Sequence, residues 1–334
     1  VIGEELFFGL ERKKDRIITA SYLPERIVTN EEIVKNNPDI SPISLQRSFG
    51  VSERRSVDSK ETDADMMSKV AKDILEKAGC SPEDIDYIIC SSDPPNALEP
   101  ATAPAVQSKI GVFCPAFDVA MSCAGWIASM EIGLNYLTKG KEKILVLASC
   151  TIGSRIFYRD LKHRAIFGDG AGGILLESQH QDRFLAIDLW TDGRHYSKIF
   201  VPHSWTILPE DISIEYKNSF YMLSNQKEFF VIMDTHLVPF TENLFKKAKI
   251  NMEDISLFLV HYPTKPLFER SLRLLNIPRE KTFHRFNKYG NIATAEMPVL
   301  LDEAIRSGRI KKGDLICILV YGAGFTGGGL IMQY

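Results

Sequence analysis

The chain has 334 residues, 45% hydrophobic and 25% charged, with a formal net charge of -3. That length supplies one large core or two of ordinary size, and the near-neutral balance offers no basic surface for nucleic acid or a membrane. Residues 1–14 place an acidic pair ahead of a short apolar run, an order and length that fit neither a signal peptide nor a membrane span. Strand-like and helical segments then alternate, which predicts α/β layering. Residues 72–90 read as a helix, a turn carrying Glu83-Asp-Ile85 and a buried strand. Residues 115–121 form a short strand-like run, and from Ala124 the period turns helical, with Ile127, Met130, Leu134 and Leu137 on one face until Gly140. Lys143-Ile-Leu-Val-Leu147 is a second buried strand. Phe167-Gly-Asp-Gly-Ala-Gly-Gly173 leads into another strand rather than a helix and lacks a Lys-Ser/Thr pair, so it is not a phosphate-binding loop. Residues 190–225 are aromatic, Pro-containing and irregular, and read as an insertion that covers a pocket.

The second half repeats the first. Residues 243–260 give the same helix, turn and strand, with Glu253-Asp-Ile255 lying 170 positions after its counterpart (83 to 253). Asp314-Leu-Ile-Cys-Ile-Leu-Val320 likewise echoes the 143–147 strand. A repeat this long is no solenoid; it predicts two α/β halves about a pseudo-twofold axis, residues 16–185 and 186–334. The gaps from Cys123 to Gly140 and from Asn291 to Gly308 are equal, which predicts that Cys123 and Asn291 occupy equivalent places. Pro298 is expected to kink the second helix or tighten its start.

Cys123 ends a strand-like run where a helix begins, so unpaired N–H groups and the positive helix end favour a thiolate there. Small Ala124 and Gly125 leave a substrate room to reach the sulfur. Of seven histidines, only His261 directly follows a buried strand, Leu257-Phe-Leu-Val260, at the carboxyl edge where α/β sheets collect ligands. Asn291, in Lys288-Tyr-Gly-Asn-Ile-Ala-Thr294, is either a helix cap or a catalytic amide. The final Tyr321-Gly-Ala-Gly-Phe-Thr-Gly-Gly-Gly329 turn could aim N–H groups at an anion, although tight geometry alone would also call for those glycines. The six cysteines show no CxxC and no metal spacing, which points to reduced thiols and a cytoplasmic address.

Together these segments resemble the β-ketoacyl-acyl carrier protein synthase III family of thiolase-fold condensing enzymes. The resemblance runs from about Arg16 to Tyr334, through Ser21-Tyr-Leu-Pro-Glu25, Thr29-Asn30, Phe49-Gly-Val-Ser-Glu-Arg-Arg55, Phe117-Asp-Val-Ala-Met-Ser-Cys-Ala-Gly125, Phe167-Gly-Asp-Gly-Ala-Gly172, His261, Tyr289-Gly-Asn291 and the last glycine loop. It implies a thiolase-like duplicated αβαβα five-layer fold, a homodimer, and a Cys–His–Asn triad on Cys123, His261 and Asn291. It further implies an acyl-Cys123 intermediate formed from acyl-CoA or an acyl carrier protein, then decarboxylating Claisen condensation with a malonyl thioester. The oxyanion would be held by the backbone N–H groups of Cys123 and Ala323. Neither metal nor redox cofactor is expected.

Several positions depart from the family pattern. Residues 41–47 lack the tryptophan that relatives often stack on the CoA adenine, and Thr264 stands where an asparagine commonly helps hold the incoming thioester. Tyr321 replaces a phenylalanine, Ala323 a glycine, and Glu99 an apolar residue that the partner subunit lends to the acyl pocket. These put the acetyl starter in question and leave a second reading: a non-decarboxylating acyltransferase moving an acyl group from Cys123 to another nucleophile. A silent heterodimer subunit is disfavoured by the retained triad, and a cysteine hydrolase by the repeat. Lys265, Arg270, Arg285 and Lys288 form a candidate basic patch for an acidic carrier protein.

Overall fold

The computed structural model describes residues 16–37, 39–158, 160–201, 223–224 and 226–334. Its core is two sheets. The first has five strands in the order Ile18–Tyr22, Gly170–Glu177, Lys143–Cys150, Tyr87–Asp93, Ala116–Asp118. The second has four, in the order Leu257–Val260, Leu315–Gly322, Thr326–Gln333, Phe184–Thr191. The pairing senses match strand for strand. Tyr87–Asp93 lies parallel to Lys143–Cys150 as Leu257–Val260 does to Leu315–Gly322, and both sheets continue antiparallel twice. The fifth strand of the first sheet, Ala116–Asp118, has only an isolated parallel bridge, Phe258 to Thr282, as its echo.

Helices sort into layers because their apolar stripes differ in width. Gly125–Leu137 and Glu296–Arg306 are buried on most sides and touch both sheets, so they form the central layer. Asp63–Ala78 and Thr102–Ile110 cover the outer face of the first sheet, and Gln226–Ala248 that of the second, with Lys265–Leu274 packed against it. The result is the expected α/β thiolase-like arrangement of five layers. Asp63–Ala78 shows how local sequence sets these limits: a Thr62–Asp65 capping box starts it and Gly79, at φ 63°, stops it. Pro298 is the third residue of its helix, where a missing N–H costs nothing.

The repeat corrects one expectation. Each central helix is preceded by a one-turn 3-10 segment, Ser122–Ala124 in one half and Ala293–Ala295 in the other, each opening on a positive φ (48° at Ser122, 43° at Ala293). Cys123 therefore corresponds to Thr294, not to Asn291. The equal gaps misled because Glu296–Arg306 has 11 residues and Gly125–Leu137 has 13. The divide between halves also shifts slightly, since Phe184–Thr191 already belongs to the second sheet and the Ser178–Arg183 turn joins the two. Of the irregular 190–225 segment, Gly193–Lys198 is 3-10 helix and Ile199–Phe200 pairs with Leu223–Ser224; residues 202–222 and 225 lie outside the described residues.

Candidate active site

Both central helices start at one cavity of about 470 Å³, lined among others by Cys123, His261, Asn291, Tyr321 and Ala323. Cys123 sits in the middle of the 3-10 turn after Ser122, whose left-handed backbone costs of order 1 kcal/mol or more and turns the chain sharply. The next turn is tied across the halves by the Trp126 N–H, which donates to Thr294 Oγ1 at 2.9 Å. The carboxyl end of Leu315–Gly322 forms the wall behind the sulfur. A Cβ on Gly322 would lie 2.9 Å from Cys123 Cβ and 3.2 Å from Sγ, so only glycine lets the strand pass this close. Ala323 follows, and Thr326 Oγ1 fixes its carbonyl at 2.8 Å, keeping this loop beside Cys123.

His261 is fully buried, its N–H bonded to the Leu319 carbonyl at 2.8 Å as an extension of the parallel strand pair. Its Nδ1 meets the carboxylate of Glu296, the first residue of the second central helix, and Nε2 is buried with no protein partner. Burial works against a charge on this ring, but the Glu296 carboxylate and the Cys123 sulfur outweigh it and hold the pKa well above its usual value. Tyr321 stands edge-on to the imidazole at 5.8 Å.

Asn291 is 3% exposed and lies where two segments cross: its N–H donates to the Ile166 carbonyl at 2.8 Å and its own carbonyl accepts from Gly168 at 3.0 Å. The crossing explains Gly168. A Cβ on Gly168 would stand 2.0 Å from the Tyr289 carbonyl oxygen. Asn291 Oδ1 accepts from the Ala293 N–H at 2.8 Å, so the amide does cap the turn, and that leaves its NH2 group as the free donor. Cap and donor are thus compatible roles.

The structure brings Cys123, His261, Asn291, Tyr321, Thr264 and Ala323 to one cavity. Thr264 precedes the Lys265–Leu274 helix without capping it, and its Oγ1 is buried and unpaired. Tyr321 spends the hydroxyl that distinguishes it from phenylalanine on Ser271 Oγ at 2.9 Å, so it adds no polar group to the cavity. Glu99 is different: it is exposed and does not line the cavity of its own chain. The irregular segment contributes Ile199 and Val201 to the lining. Two acids were missed from the sequence. Asp93, at the end of its strand, lines the cavity, and burial pushes its carboxyl up to about 6 against the pull of the Thr294 N–H and His261. Glu296 lay hidden in a helix start, where an acidic residue is ordinary; its distance of 35 residues from His261 carried no signal.

Among the described residues no group of side chains is arranged to hold a metal, and no helix is long and apolar enough to cross a membrane. Residues 117–193 match the model of 3-oxoacyl-[acyl-carrier-protein (ACP)] synthase III, and residues 245–334 match its C-terminal model. The β-ketoacyl-[acyl-carrier-protein] synthase III of Aquifex aeolicus is 30% identical over 321 residues, covering 95% of this chain and 98% of that protein. The crystal structure of the Aquifex aeolicus enzyme superposes with a TM-score of 0.85 at 29% identity, covering 96% of this chain and 99% of that one. The Thermus thermophilus structure gives 0.86 at 27% identity, covering 95% and 98%.

Proposed function

This chain belongs to the β-ketoacyl-[acyl-carrier-protein] synthase III family, and from that premise we propose that Cys123, His261 and Asn291 carry its reaction. It is a condensing enzyme of fatty acid biosynthesis, an acyltransferase that joins an acyl thioester to a malonyl thioester with loss of CO2. Cys123 Sγ attacks the acyl carbonyl, the carbon–sulfur bond to the carrier breaks, and the departing thiol leaves with the proton the cysteine gave up. His261 Nε2 and the Asn291 NH2 then hold the malonyl thioester oxygen. The bond from the malonyl Cα to its carboxylate breaks, CO2 leaves, and the electron pair becomes an enolate stabilised by those two donors. The carbanion attacks the acyl-Cys123 carbonyl, whose oxyanion the Cys123 and Ala323 N–H groups receive; the carbon–Sγ bond then breaks, which returns the Cys123 thiolate and frees the β-ketoacyl product.

The observation that carries this reading is the pair of unspent donors, His261 Nε2 and the Asn291 amide, facing one cavity with the sulfur. Thr264 Oγ1 is a third group available to the incoming thioester. We assign an acyl carrier protein as the malonyl donor, docking on exposed Lys265 and Lys288; Arg270 and Arg285 are already paired with Asp234 and Glu303. A homodimer is favoured by the Ala116–Asp118 strand, which has one neighbour among the described residues, and by exposed Leu98 and Phe113 ahead of it in sequence. In such a dimer Glu99 would reach the partner's acyl pocket. Six free cysteines fit a reducing cytoplasm.

Intact-protein mass spectrometry with a panel of acyl-CoAs and acyl carriers, followed by labelled malonyl carrier, tests the assignment. The expected result is an adduct absent from Cys123→Ala, discharged as labelled CO2 and a β-ketoacyl product appear. An adduct on another residue would overturn the nucleophile assignment, and discharge without CO2 would favour simple acyl transfer.

A further inference from the structure

His261 needs an acceptor at Nδ1, and what the fold supplies is a full carboxylate. Glu296 is 3% exposed, and the same Oε2 atom that meets Nδ1 also accepts the Tyr262 N–H at 3.3 Å. An ionised carboxylate has only lone pairs to offer, so Nδ1 must carry the proton and Nε2 is turned toward the sulfur. The fold does not demand a carboxylate at this place. In the first half the residue opening the central helix is Gly125, packed so tightly that a Cβ would stand 2.0 Å from Ser91 Oγ. Glu296 goes with the histidine, not with the architecture.

We propose that Glu296 is a positioning residue for the decarboxylation step, fixing the ring of His261 and keeping it an imidazolium while the enolate forms. This rests on the reading of the triad given above. In acylation the cysteine's proton leaves with the carrier thiol, so the ring then draws one proton from solvent, beside a neutral thioester sulfur and the Glu296 carboxylate. The enolate oxygen then faces a charged N–H donor, which is shorter and stronger than a neutral one. When the condensation expels Cys123 as thiolate, the imidazolium is already its partner, so charge and protons balance over the cycle.

Other groups also face this ring. Cys123 approaches from the 3-10 turn, Asp93 from the end of its strand, and Tyr321 from the wall, while His284 stands behind Tyr262 at 5.2 Å. Asp93 titrates on the acid side, so the basic limb of the rate profile isolates His261.

The test is the pH dependence of CO2 release from malonyl carrier protein by acylated enzyme, for wild type, Glu296→Gln and Glu296→Asp. Glu296→Gln keeps the shape and removes the charge; the rate at pH ~8 is expected to fall about tenfold or more, and the basic limb to move down by at least ~1 pH unit. Glu296→Asp, which keeps the charge on a shorter stem, restores the limb in part. A Glu296→Gln profile with the wild-type limb, whatever its height, overturns the proposal. Should Glu296→Gln fail to fold, the 15N shifts of His261 in the acylated wild-type enzyme decide: both ring nitrogens protonated at pH ~8 supports the proposal, and a singly protonated ring refutes it. The NMR measurement needs no malonyl chemistry, so an enzyme that releases no CO2 would refute the reading of the reaction and leave this one to be judged separately.

Discussion

Replacing Gly322 by alanine tests whether the last strand really forms the wall of the nucleophile. The new Cβ would sit 2.9 Å from Cys123 Cβ and 3.2 Å from both its N and its Sγ. Carbon contacts relax near 3.5–4.0 Å, so strand and turn would have to part by roughly 0.6–1 Å. Neither yields easily. Gly322 is paired with Thr326 in the antiparallel ladder, and the turn is held by the Ser122 backbone and the Trp126–Thr294 bond. Forced overpacking of this kind costs about 1–3 kcal/mol. The functional cost is larger, because a nucleophile displaced by ~1 Å loses about a hundredfold in rate.

The assay is the rate of acyl-adduct formation on Cys123, read by mass spectrometry, alongside a thermal melt. Gly193→Ala serves as control, since nothing lies within 4 Å of its added Cβ. Gly322→Ala is expected to lower the acylation rate by about two orders of magnitude and the melting temperature by a few degrees, with Gly193→Ala matching wild type. Wild-type acylation in Gly322→Ala would refute the claim that this strand end sets the position of the sulfur.

Asn291→Asp keeps the Oδ1 acceptor for Ala293 but swaps the free donor for a negative charge. CO2 release should fall by about 10²–10³ while acyl loading of Cys123 survives; equal loss of both would place Asn291 outside the decarboxylation step. Asp63 accepts from Ser149 and Thr151 hydroxyls at 2.7 and 2.6 Å, and burial raises its pKa to about 7 despite them. A raised carboxyl stabilises the fold fully below its unfolded pKa of 3.8 and loses that contribution as pH climbs through about 7, a swing of at most about 4 kcal/mol. Melts between pH ~5 and ~8 should therefore slope downward in wild type and less steeply in Asp63→Asn; superimposable slopes would exclude Asp63 as a contributor. Phe113→Asp replaces a fully exposed ring beside the edge strand with a charge and should shift the proposed dimer toward monomer in size-exclusion runs, an effect that an unchanged elution volume would rule out.

What the sequence made legible was whatever repeats or alternates. Glu83-Asp-Ile85 and Glu253-Asp-Ile255 mark equivalent 3-10 turns, Pro82–Asp84 and Met252–Asp254, each entering an equivalent strand. Cys123 and His261 could be placed at the cavity because each stands where a strand-like run ends, at the edge where side chains meet a cleft. Asn291 was placed at the cavity through a wrong equivalence: the second central helix is two residues shorter and its closing glycine comes one residue sooner, so counting back missed the true equivalence by three residues. Glu296 and Asp93 left no trace, because a first-turn glutamate and an aspartate before proline are both common in ordinary caps and turns. Their meaning is set by what they face across the fold. Residues 41–47 and 99 carried information of a different sort, visible only against the family pattern.

Duplication raises a question the geometry answers: two equivalent strand-ends and two equivalent turns meet at the centre, yet one set is chemical. Cys123 and His261 correspond to Thr294 and Ser91. The second pair also meets, with Thr294 Oγ1 at 3.2 Å from Ser91 Oγ, and the Trp126 N–H completes the bonding of Thr294. Those hydroxyls have spent their hydrogen bonds on each other and on the backbone, which is what a buried polar pair must do to cost nothing. The reactive set is left incomplete. His261 Nε2 and Thr264 Oγ1 are buried without partners, and the Asn291 amide has used only its oxygen. Leaving buried polar atoms unpaired costs of order 1–3 kcal/mol each, a penalty that an oxygen bound between them would relieve. The same fold position thus closes on itself in one copy and stays open in the other, and in the proposed mechanism the open one is where a thioester oxygen would supply the missing bonds.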